Sequence, residues 1–332
     1  MTSAKFDVLG LGNAIVDVLA RVDDDFLVRE KLAKGTMHLI DEPRAKSLYA
    51  ALDNPLLISG GSAANTCAGV ASLGGKVAFI GKVKDDELGQ GFTRDIREAG
   101  VHYATTLAKD GPTTASSTIL VTPDGERTMN TFLGASQNLT LDDVDADLIA
   151  ASGTVYLEGY LWDPPEAKKA YRRASELAHA AGRKVALSLS DTFCVERHRP
   201  EFLELLRSGA VDLVFANLHE AQALYETSDF NSAVSALRKD VKAAVITRSE
   251  KGAIFVNGGA TAEVEAHPVE RVIDATGAGD LFAAGVLTAL SRGQDNATSL
   301  RLGALSAAEV ISHMGARPQR SLAAFAAEAG IL

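Results

Sequence analysis

The chain has 332 residues, a formal net charge of −10 and 46% hydrophobic residues, which is ordinary for a globular protein with one large domain or two. Its acidic balance, without a dense Lys/Arg block, argues against a nucleic-acid partner. No apolar stretch reaches the roughly 18 residues of a membrane span and the N-terminus lacks a secretory pattern, so we expect a cytoplasmic protein without membrane contact. The two cysteines, Cys67 and Cys194, predict neither a disulfide framework nor a zinc site because they lack CxxC spacing.

The first 135 residues contain segments that alternate like half-exposed strands. In the segment 13–22, Val16 and Val18 share one face, while Asp17 lies on the other as an isolated acid. Similar alternation occurs at about 36–40, 115–121 and 126–133. An Asp-Gly turn joins the last two segments. We predict that these four segments form a small antiparallel sheet.

The rest of the chain indicates a larger sheet. Phe6–Leu9 and Val77–Ile80 are predicted strands joined by a helix over about 62–73. From Thr154 to Thr247, short apolar strands alternate with amphipathic helices, including helices predicted at 165–181 and 201–207. This pattern predicts an α/β fold in one domain over 1–332, with a mostly parallel central sheet covered by helices on both faces. Ligands bind such sheets at the carboxyl ends of the strands.

The segment 274–280, with the sequence DATGAGD, combines a glycine-rich turn, a carboxylate and the start of an apolar helix. The first N–H groups of a helix have no partner within it and, with the helix dipole, they suit a phosphate. Asp280 has two interpretations. An acid in the first turn usually caps the helix. Beside an anion-binding turn, however, a carboxylate can accept the proton of an attacking hydroxyl group.

Two other segments have a structural and a functional interpretation. The segment 10–15 is close to the dinucleotide pattern GxGxxG, but Ile15 replaces the third glycine and strand-like alternation follows, so a dehydrogenase is disfavoured. Asn217 and Glu220 directly follow an apolar strand with the spacing of a capping box. The same pair suits a hydrated magnesium ion, since Mg²⁺ takes few protein carboxylates. Both interpretations are compatible.

DATGAGD resembles the C-terminal signature of the ribokinase/PfkB family of carbohydrate kinases, and the segment 60–65, GGSAAN, resembles the family's N-terminal motif. The resemblance runs from about Val8 to about Pro318. It implies a ribokinase-like fold in which the small sheet is a lid over the substrate. It also implies an ATP-dependent kinase that uses Mg²⁺, with Asp280 as the catalytic base. The resemblance further implies an anion hole formed by Gly277, Ala278 and Gly279.

The family's other functional positions carry over residue by residue. The acceptor substrate would be held by Asn13, Asp17, Gly61 and Asn65. An apolar pocket for a base would be lined by Met37, Leu39, Tyr160 and Leu161. The nucleotide would lie against Arg127, Asn217, Glu220, Thr247, Gly252, Thr276 and His313. Glu220 would bind Mg²⁺ through water, and Asp274 would help to bind a monovalent cation such as K⁺. In the nucleotide loop, Ser249 stands where the family usually has glycine.

Within the family, the opening segment 10–41 and the segments LSDTF and FANLHEAQALY most resemble adenosine kinases, which phosphorylate the 5′-hydroxyl group of the nucleoside. The alternative with the same fold is a kinase for ribose, fructose or a related sugar. A non-catalytic nucleotide-binding regulator would keep the phosphate turn but would not need Asp280. Its presence therefore favours an enzyme.

Overall fold

The computed structural model describes residues 4–332. The strands are β1 (Phe6–Leu11), β2 (Ile15–Arg21), β3 (Met37–Leu39), β4 (Leu56–Gly60), β5 (Val77–Ile80), β6 (His102–Tyr103), β7 (Ala115–Val121), β8 (Arg127–Phe132), β9 (Ser152–Glu158), β10 (Lys184–Ser188), β11 (Leu213–Asn217), β12 (Ala243–Thr247), β13 (Ala253–Asn257) and β14 (Ala260–Val264). The helices are α1 (Asp24–Arg29), α2 (Glu42–Ala50), α3 (Ser62–Ser72), α4 (Glu87–Glu98), α5 (Ala146–Ala150), α6 (Pro165–Ala180), α7 (Thr192–Arg207), α8 (Leu218–Leu224), α9 (Phe230–Asp240), α10 (Ala278–Ser291), α11 (Asn296–Val310) and α12 (Leu322–Glu328).

In the described part of the chain, the larger sheet has the strand order β14-β13-β12-β11-β10-β9-β1-β5-β6. Its pairs are parallel from β6 to β12 and antiparallel at β12–β13 and β13–β14. Each face of this sheet has its own apolar core. One core contains side chains of α3, α10 and α11, and the other contains side chains of α6 and α7. The predicted α/β fold, with a mostly parallel sheet between helices, is confirmed.

The smaller sheet has the order β3-β8-β7-β2-β4. Strands occur at each of the four predicted segments, and the structure adds β4 (Leu56–Gly60), which the sequence did not predict. The prediction that this sheet is antiparallel is wrong, because β2–β7 and β3–β8 are parallel pairs. Only β7 and β8 are joined by the predicted turn, and only a short turn forces two strands to run antiparallel.

Strand register aligns one row of side chains across the smaller sheet. Asp17 pairs with Ser117, Ser117 with Thr131, and Thr131 with Leu39. Directly paired residues point to the same face of a sheet. Leu39 and Met37, two residues earlier on β3, therefore lie on the same face as Asp17.

The helices mostly match the prediction. The helix predicted at 62–73 is α3, and that predicted at 165–181 is α6. The helix predicted at 201–207 begins much earlier, at Thr192, because the side chain of Asp191 caps it and Pro200 is accommodated inside it. Within residues 4–332, no helix combines the length and the apolar character needed to cross a membrane.

Candidate active site

The N-termini of α3 and α10 converge at Asp280. Its carboxylate accepts hydrogen bonds from Ser62 Oγ at 2.6 Å and from Asn65 Nδ2 at 3.0 Å, both on α3. The capping interpretation is not what the structure shows, because Gly277 is the N-cap of α10 and the cap has no side-chain hydrogen bond. Gly277 has a φ of 79°, and a Cβ there would lie 2.8 Å from the Cβ of Ala316. The glycine therefore permits both the turn and its close packing.

Burial raises the pKa of Asp280, although the hydrogen bonds from Ser62 and Asn65 and the nearby Arg317 oppose this shift. The residue keeps some surface open to solvent. A carboxylate with a raised pKa, positioned at a helix N-terminus and still accessible, has the properties of a general base. A second acceptor nearby is the side-chain amide of Asn65, whose buried Oδ1 has no hydrogen-bond partner in the described part of the chain. That acceptor is available to a hydroxyl donor.

Asp17 faces the same site from the smaller sheet. Its carboxylate lies against Gly60, where an added Cβ would be 2.5 Å from Oδ2. Among the described residues, none donates a hydrogen bond to this carboxylate, and burial raises its pKa to about 7 against the positive charges of Arg317 and Arg127. Gly61 follows with a φ of 99°, and a Cβ there would lie 2.1 Å from the carbonyl oxygen of Asn13. The pair of glycines therefore brings the backbone close to Asp17.

Arg127, at the start of β8, reaches across to the DATGAGD segment. Its Nη1 donates to Asp274 and, at 2.6 Å, to Thr276 Oγ1. Its Nε and Nη2 are buried and have no hydrogen-bond partner among residues 4–332. Buried guanidinium N–H groups without acceptors are costly, so they favour an anionic ligand such as a phosphate. The basic residue of the smaller sheet and the predicted anion hole therefore lie together.

Asp274 is fully engaged by protein donors. Oδ1 accepts from the Thr276 amide and hydroxyl groups, and Oδ2 accepts from the Gly315 amide and from Arg127. Burial disfavours the charged form, but these hydrogen bonds and the Arg127 charge outweigh it and lower the pKa of Asp274. In this arrangement the side chain does not fit the predicted monovalent cation, because each oxygen already has two donors and Arg127 supplies the positive charge.

Asn13 is held inside the protein by Glu158, at the end of β9. Its backbone amide and Nδ2 donate to Glu158 Oε1 at 3.2 and 2.7 Å, and its Oδ1 accepts from Ser136 and Gln137. Asn13 is only 1% exposed. Glu158 Oε2 also accepts from the Ala63 amide at the start of α3. Asn13 is therefore placed to orient the backbone before β2, and its side chain has little capacity left for the predicted substrate contact.

The residues predicted for a base pocket differ in exposure. Met37 and Leu39 on β3 are 54% and 63% exposed, and Tyr160 is 39% exposed after β9. Leu161 is completely buried in the core, next to Trp162, because the 3₁₀ turn at Gly159–Trp162 directs both side chains inward. A ligand could reach Leu161 only by displacing core side chains, so the prediction for this residue is not supported.

The residues predicted to contact the nucleotide lie at the ends of strands, in the turn before α10 or in the segment after α11. Asn217 and Glu220 form the capping box, with Glu220 accepting from the Asn217 amide and Nδ2. Burial raises the pKa of Glu220 to about 7. Thr247 ends β12, and the following loop closes with a hydrogen bond from the Arg248 amide to the Gly252 carbonyl.

Two details of this region differ from a simple match to the family. Ser249, which replaces the usual glycine, keeps a left-handed backbone with a φ of 53°. His313 has its ring turned towards Glu309, with Nε2 3.3 Å from Oε1. In this structure His313 therefore packs inward and does not lie open for an adenine ring.

Sequence reasoning missed three residues of the site. Ser62 binds Asp280, Glu158 holds Asn13, and Arg317 faces both Asp17 and Asp280. Glu158 could have been found in the same way as Asp17, because each is an isolated acid on an apolar strand. Ser62 offers a hydroxyl group within a recognised motif. Arg317 offered no comparable signal, because a single arginine near the C-terminus is usually solvated.

Comparison with known proteins identifies the family. The sequence model of the pfkB family of carbohydrate kinases matches residues 45–322, so the chain belongs to that family. It is an ATP-dependent kinase that phosphorylates a hydroxyl group. A solved adenosine kinase from Sinorhizobium meliloti is 53% identical, with a TM-score of 0.90 over 98% of this chain and 100% of that one.

Two further relatives give different substrate classes. A solved probable sugar kinase from Rhizobium etli CFN 42 is 49% identical, with a TM-score of 0.91 over 99% of this chain and 100% of that one. A curated adenosine kinase from Saccharomyces cerevisiae is 26% identical over 92% of this chain and 94% of its own length. The family and the fold are therefore established, whereas the acceptor substrate is a separate question.

Proposed function

We propose that the protein is an adenosine kinase that transfers the γ-phosphoryl group of ATP to the 5′-hydroxyl group of the nucleoside. The observation that carries the proposal is a complementary set of unpaired groups. Asp17 and Asn65 Oδ1 are acceptors without donors, and Arg127 Nε and Nη2 are donors without acceptors. A hydroxyl-bearing substrate and a phosphate would complete both sets.

In the proposed reaction, Asp280 accepts the proton of the attacking hydroxyl group. The hydroxyl oxygen forms a bond to the γ-phosphorus, the bond from that phosphorus to the β,γ-bridging oxygen breaks, and ADP leaves with the electron pair. The amides of Gly277, Ala278 and Gly279, at the N-terminus of α10, would stabilise the charge on the transferred group. The Ala278 amide donates to the Ala275 carbonyl at 3.2 Å, so it would have to leave or share that acceptor. Ser62 and Asn65 hold the base in position.

Glu220 fits a hydrated magnesium ion by its chemistry. Each of its oxygens accepts one hydrogen bond from Asn217, which leaves lone pairs free, and a nearby cation would favour its ionised form. Magnesium bound with ATP would neutralise charge on the phosphates. Arg127 would bind phosphate oxygens through Nε and Nη2 while its Nη1 keeps its bonds to Asp274 and Thr276.

The preference for a nucleoside rests on the face of the smaller sheet. Met37 and Leu39 are exposed apolar residues on the same face as Asp17. Leu39 lies in the row that runs from Asp17 through Ser117 and Thr131, and Met37, paired with Met129, lies in the next row on that face. A nucleoside whose ribose is held at Asp17 would extend its base along this row. Burial of the base would stabilise the complex by about 25 cal/mol per Å² of apolar surface, a contribution that a free sugar lacks.

The alternative is a sugar kinase, and the similarity to the probable sugar kinase from Rhizobium etli favours it. Asp17, Gly61 and Asn65 by themselves would suit any ring with adjacent hydroxyl groups. The two proposals differ in the importance of Met37 and Leu39. A sugar that reaches only the polar residues would not contact them.

A coupled ADP-release assay with adenosine, inosine, ribose and fructose tests the proposal. We expect the highest kcat/KM for adenosine. In Met37→Asp, kcat/KM for adenosine should fall roughly tenfold or more, because a carboxylate beside the bound base would have to lose water, whereas activity on a free sugar should change little. A wild-type preference for a free sugar, or an unchanged Met37→Asp enzyme, would overturn the adenosine assignment.

A further inference from the structure

Arg317 joins the two elements that flank the acceptor side of the site. Its Nε and Nη2 donate to the carbonyl oxygen of Ser59 on β4, and its Nη1 donates to the carbonyl oxygen of Ala64 on α3 at 2.9 Å. Nη2 also donates to Ser59 Oγ at 2.9 Å. The guanidinium group therefore spans the junction where β4 leads through Gly60 and Gly61 into α3.

All hydrogen-bond partners of Arg317 in the described structure are neutral oxygens, and no carboxylate forms an ion pair with it there. Its positive charge is therefore not cancelled by a direct contact. Two carboxylates of the site lie next to the residues that Arg317 binds. That of Asp17 packs against Gly60, which follows Ser59, and that of Asp280 accepts from Asn65, which follows Ala64. A third carboxylate, that of Asp95, accepts hydrogen bonds from the Ser59 amide at 2.7 Å and from the Ser59 hydroxyl group.

We propose that Arg317 is a positioning residue that favours the ionised forms of both Asp17 and Asp280. The inference rests on the proposed function, in which Asp17 accepts hydrogen bonds from the substrate and Asp280 accepts its proton. Each role needs a carboxylate without a proton. Two negative charges in one cleft disfavour each other, and a fixed positive charge near both reduces this repulsion.

The electrostatics of the site agree with this role. Burial and Asp280 raise the pKa of Asp17, while Arg317 and Arg127 lower it. Burial also raises the pKa of Asp280, and Arg317 lowers it. A guanidinium group stays charged even when burial lowers its pKa, as it does here, so it is suited to supply a permanent charge. The titratable and charged groups that interact with this cluster from the surrounding elements are Asp95, Glu158, Tyr156, Tyr160, Arg127 and Cys67.

The test compares Arg317→Met, which removes the charge, with Arg317→Lys, which keeps it but loses the planar fork. The measurement is kcat/KM for the acceptor against pH at saturating ATP and magnesium. The acid limb is the pH range in which kcat/KM falls as the pH is lowered. In Arg317→Met it should lie about one pH unit higher than in the wild type, and activity should recover as the pH rises. In Arg317→Lys the limb should stay near that of the wild type, while thermal stability falls in both variants.

Arg292→Met is the matched control, because Arg292 donates to the carbonyl of Leu73 at the other end of α3, away from the carboxylates. Its acid limb should match that of the wild type. If Arg317→Met has an unchanged acid limb, Arg317 only connects β4 and α3 and the proposal is overturned. A loss of activity that is equal at every pH would overturn it as well.

If Arg317→Met does not fold, the acid limb of the Asp95→Asn variant tests the proposal instead. Removing this negative charge leaves Arg317 more effective towards Asp17 and Asp280, so the acid limb should move to lower pH. An unmoved limb in Asp95→Asn would then overturn the proposal. Failure of the proposed function would give a different result. The Asp280→Asn variant would then retain turnover, whatever the position of the acid limb in the Arg317 variants.

Discussion

The two sides of the site have opposite polarity. On the side of Asp17, Asn65 and Asp280, carboxylate and amide oxygens outnumber the donors that reach them. On the side of Arg127 and the DATGAGD turn, N–H groups outnumber acceptors, although Asp274 takes several of them. The unpaired groups of the two sides are therefore complementary. A hydroxyl group on one side and a phosphate on the other would satisfy both.

The largest expected effect follows from removing the base on the acceptor side. In Asp280→Asn, the amide oxygen can still accept from Ser62, so the fold should be retained. Turnover should fall by roughly 10²–10⁴, whereas ATP affinity should change little, since the lost function is proton transfer. Steady-state kinetics and ATP titration check this result. A folded variant with near-normal turnover would show that Asp280 is not the base.

On the phosphate side, Arg127→Met should raise the KM for ATP and lower kcat, by ~10- to 100-fold in kcat/KM, because hydrogen bonds to a charged phosphate are lost. The variant should also be less stable, since Asp274 would keep a buried charge without its cation. Arg21→Met is a matched control. Arg21 is exposed and pairs with Val121, which in turn pairs with Arg127, so both arginines lie in one row of the smaller sheet. Equal effects of the two substitutions would argue against a specific role for Arg127.

Asp17→Asn should weaken the acceptor side while making the protein more stable above neutral pH. The KM for the acceptor should rise ~10-fold or more, because hydroxyl groups bind a neutral amide less strongly than a carboxylate.

The pH dependence of stability has a defined sign at Asp17. Its pKa rises from 3.8 to about 7 on folding, so the protonated form is favoured in the folded state and its stabilisation is lost as the pH rises through about 7. Thermal unfolding at pH 5.5 and pH 8.5 checks this. The gain from Asp17→Asn should be larger at pH 8.5, and a larger gain at pH 5.5 would contradict the assignment.

The smallest effect concerns monovalent cations on the phosphate side. Arg127 already neutralises Asp274, so replacing K⁺ by a large organic cation at equal ionic strength should leave kcat nearly unchanged. This expectation differs from that of the family resemblance, which implies a potassium site at Asp274. Initial rates in the two salts distinguish them. A strong dependence on K⁺ would show that Arg127 leaves Asp274 during turnover.

Several features were predictable from the sequence because they depend on neighbouring residues. The period-two alternation of β2 placed Asp17 opposite Val16 and Val18, and the capping spacing of Asn217 and Glu220 was confirmed. The parallel sheet followed from apolar strands that alternate with helices. The direction of β7 relative to β2 did not follow, because no short turn connects them. The burial of Leu161 also depends on how a short 3₁₀ turn packs against the core.

The sequence by itself determined the family, the two glycine-rich motifs and the identity of Asp280 as the central acid. Only the tertiary structure decided which distant groups act on these motifs. Ser62 and Asp280 are 218 positions apart, and Arg127 and Asp274 are 147 apart. Such pairs form only when the registers of both sheets and the packing of α3 against α10 are set together. Local periodicity reports which face a residue occupies, but it does not report which residue lies opposite.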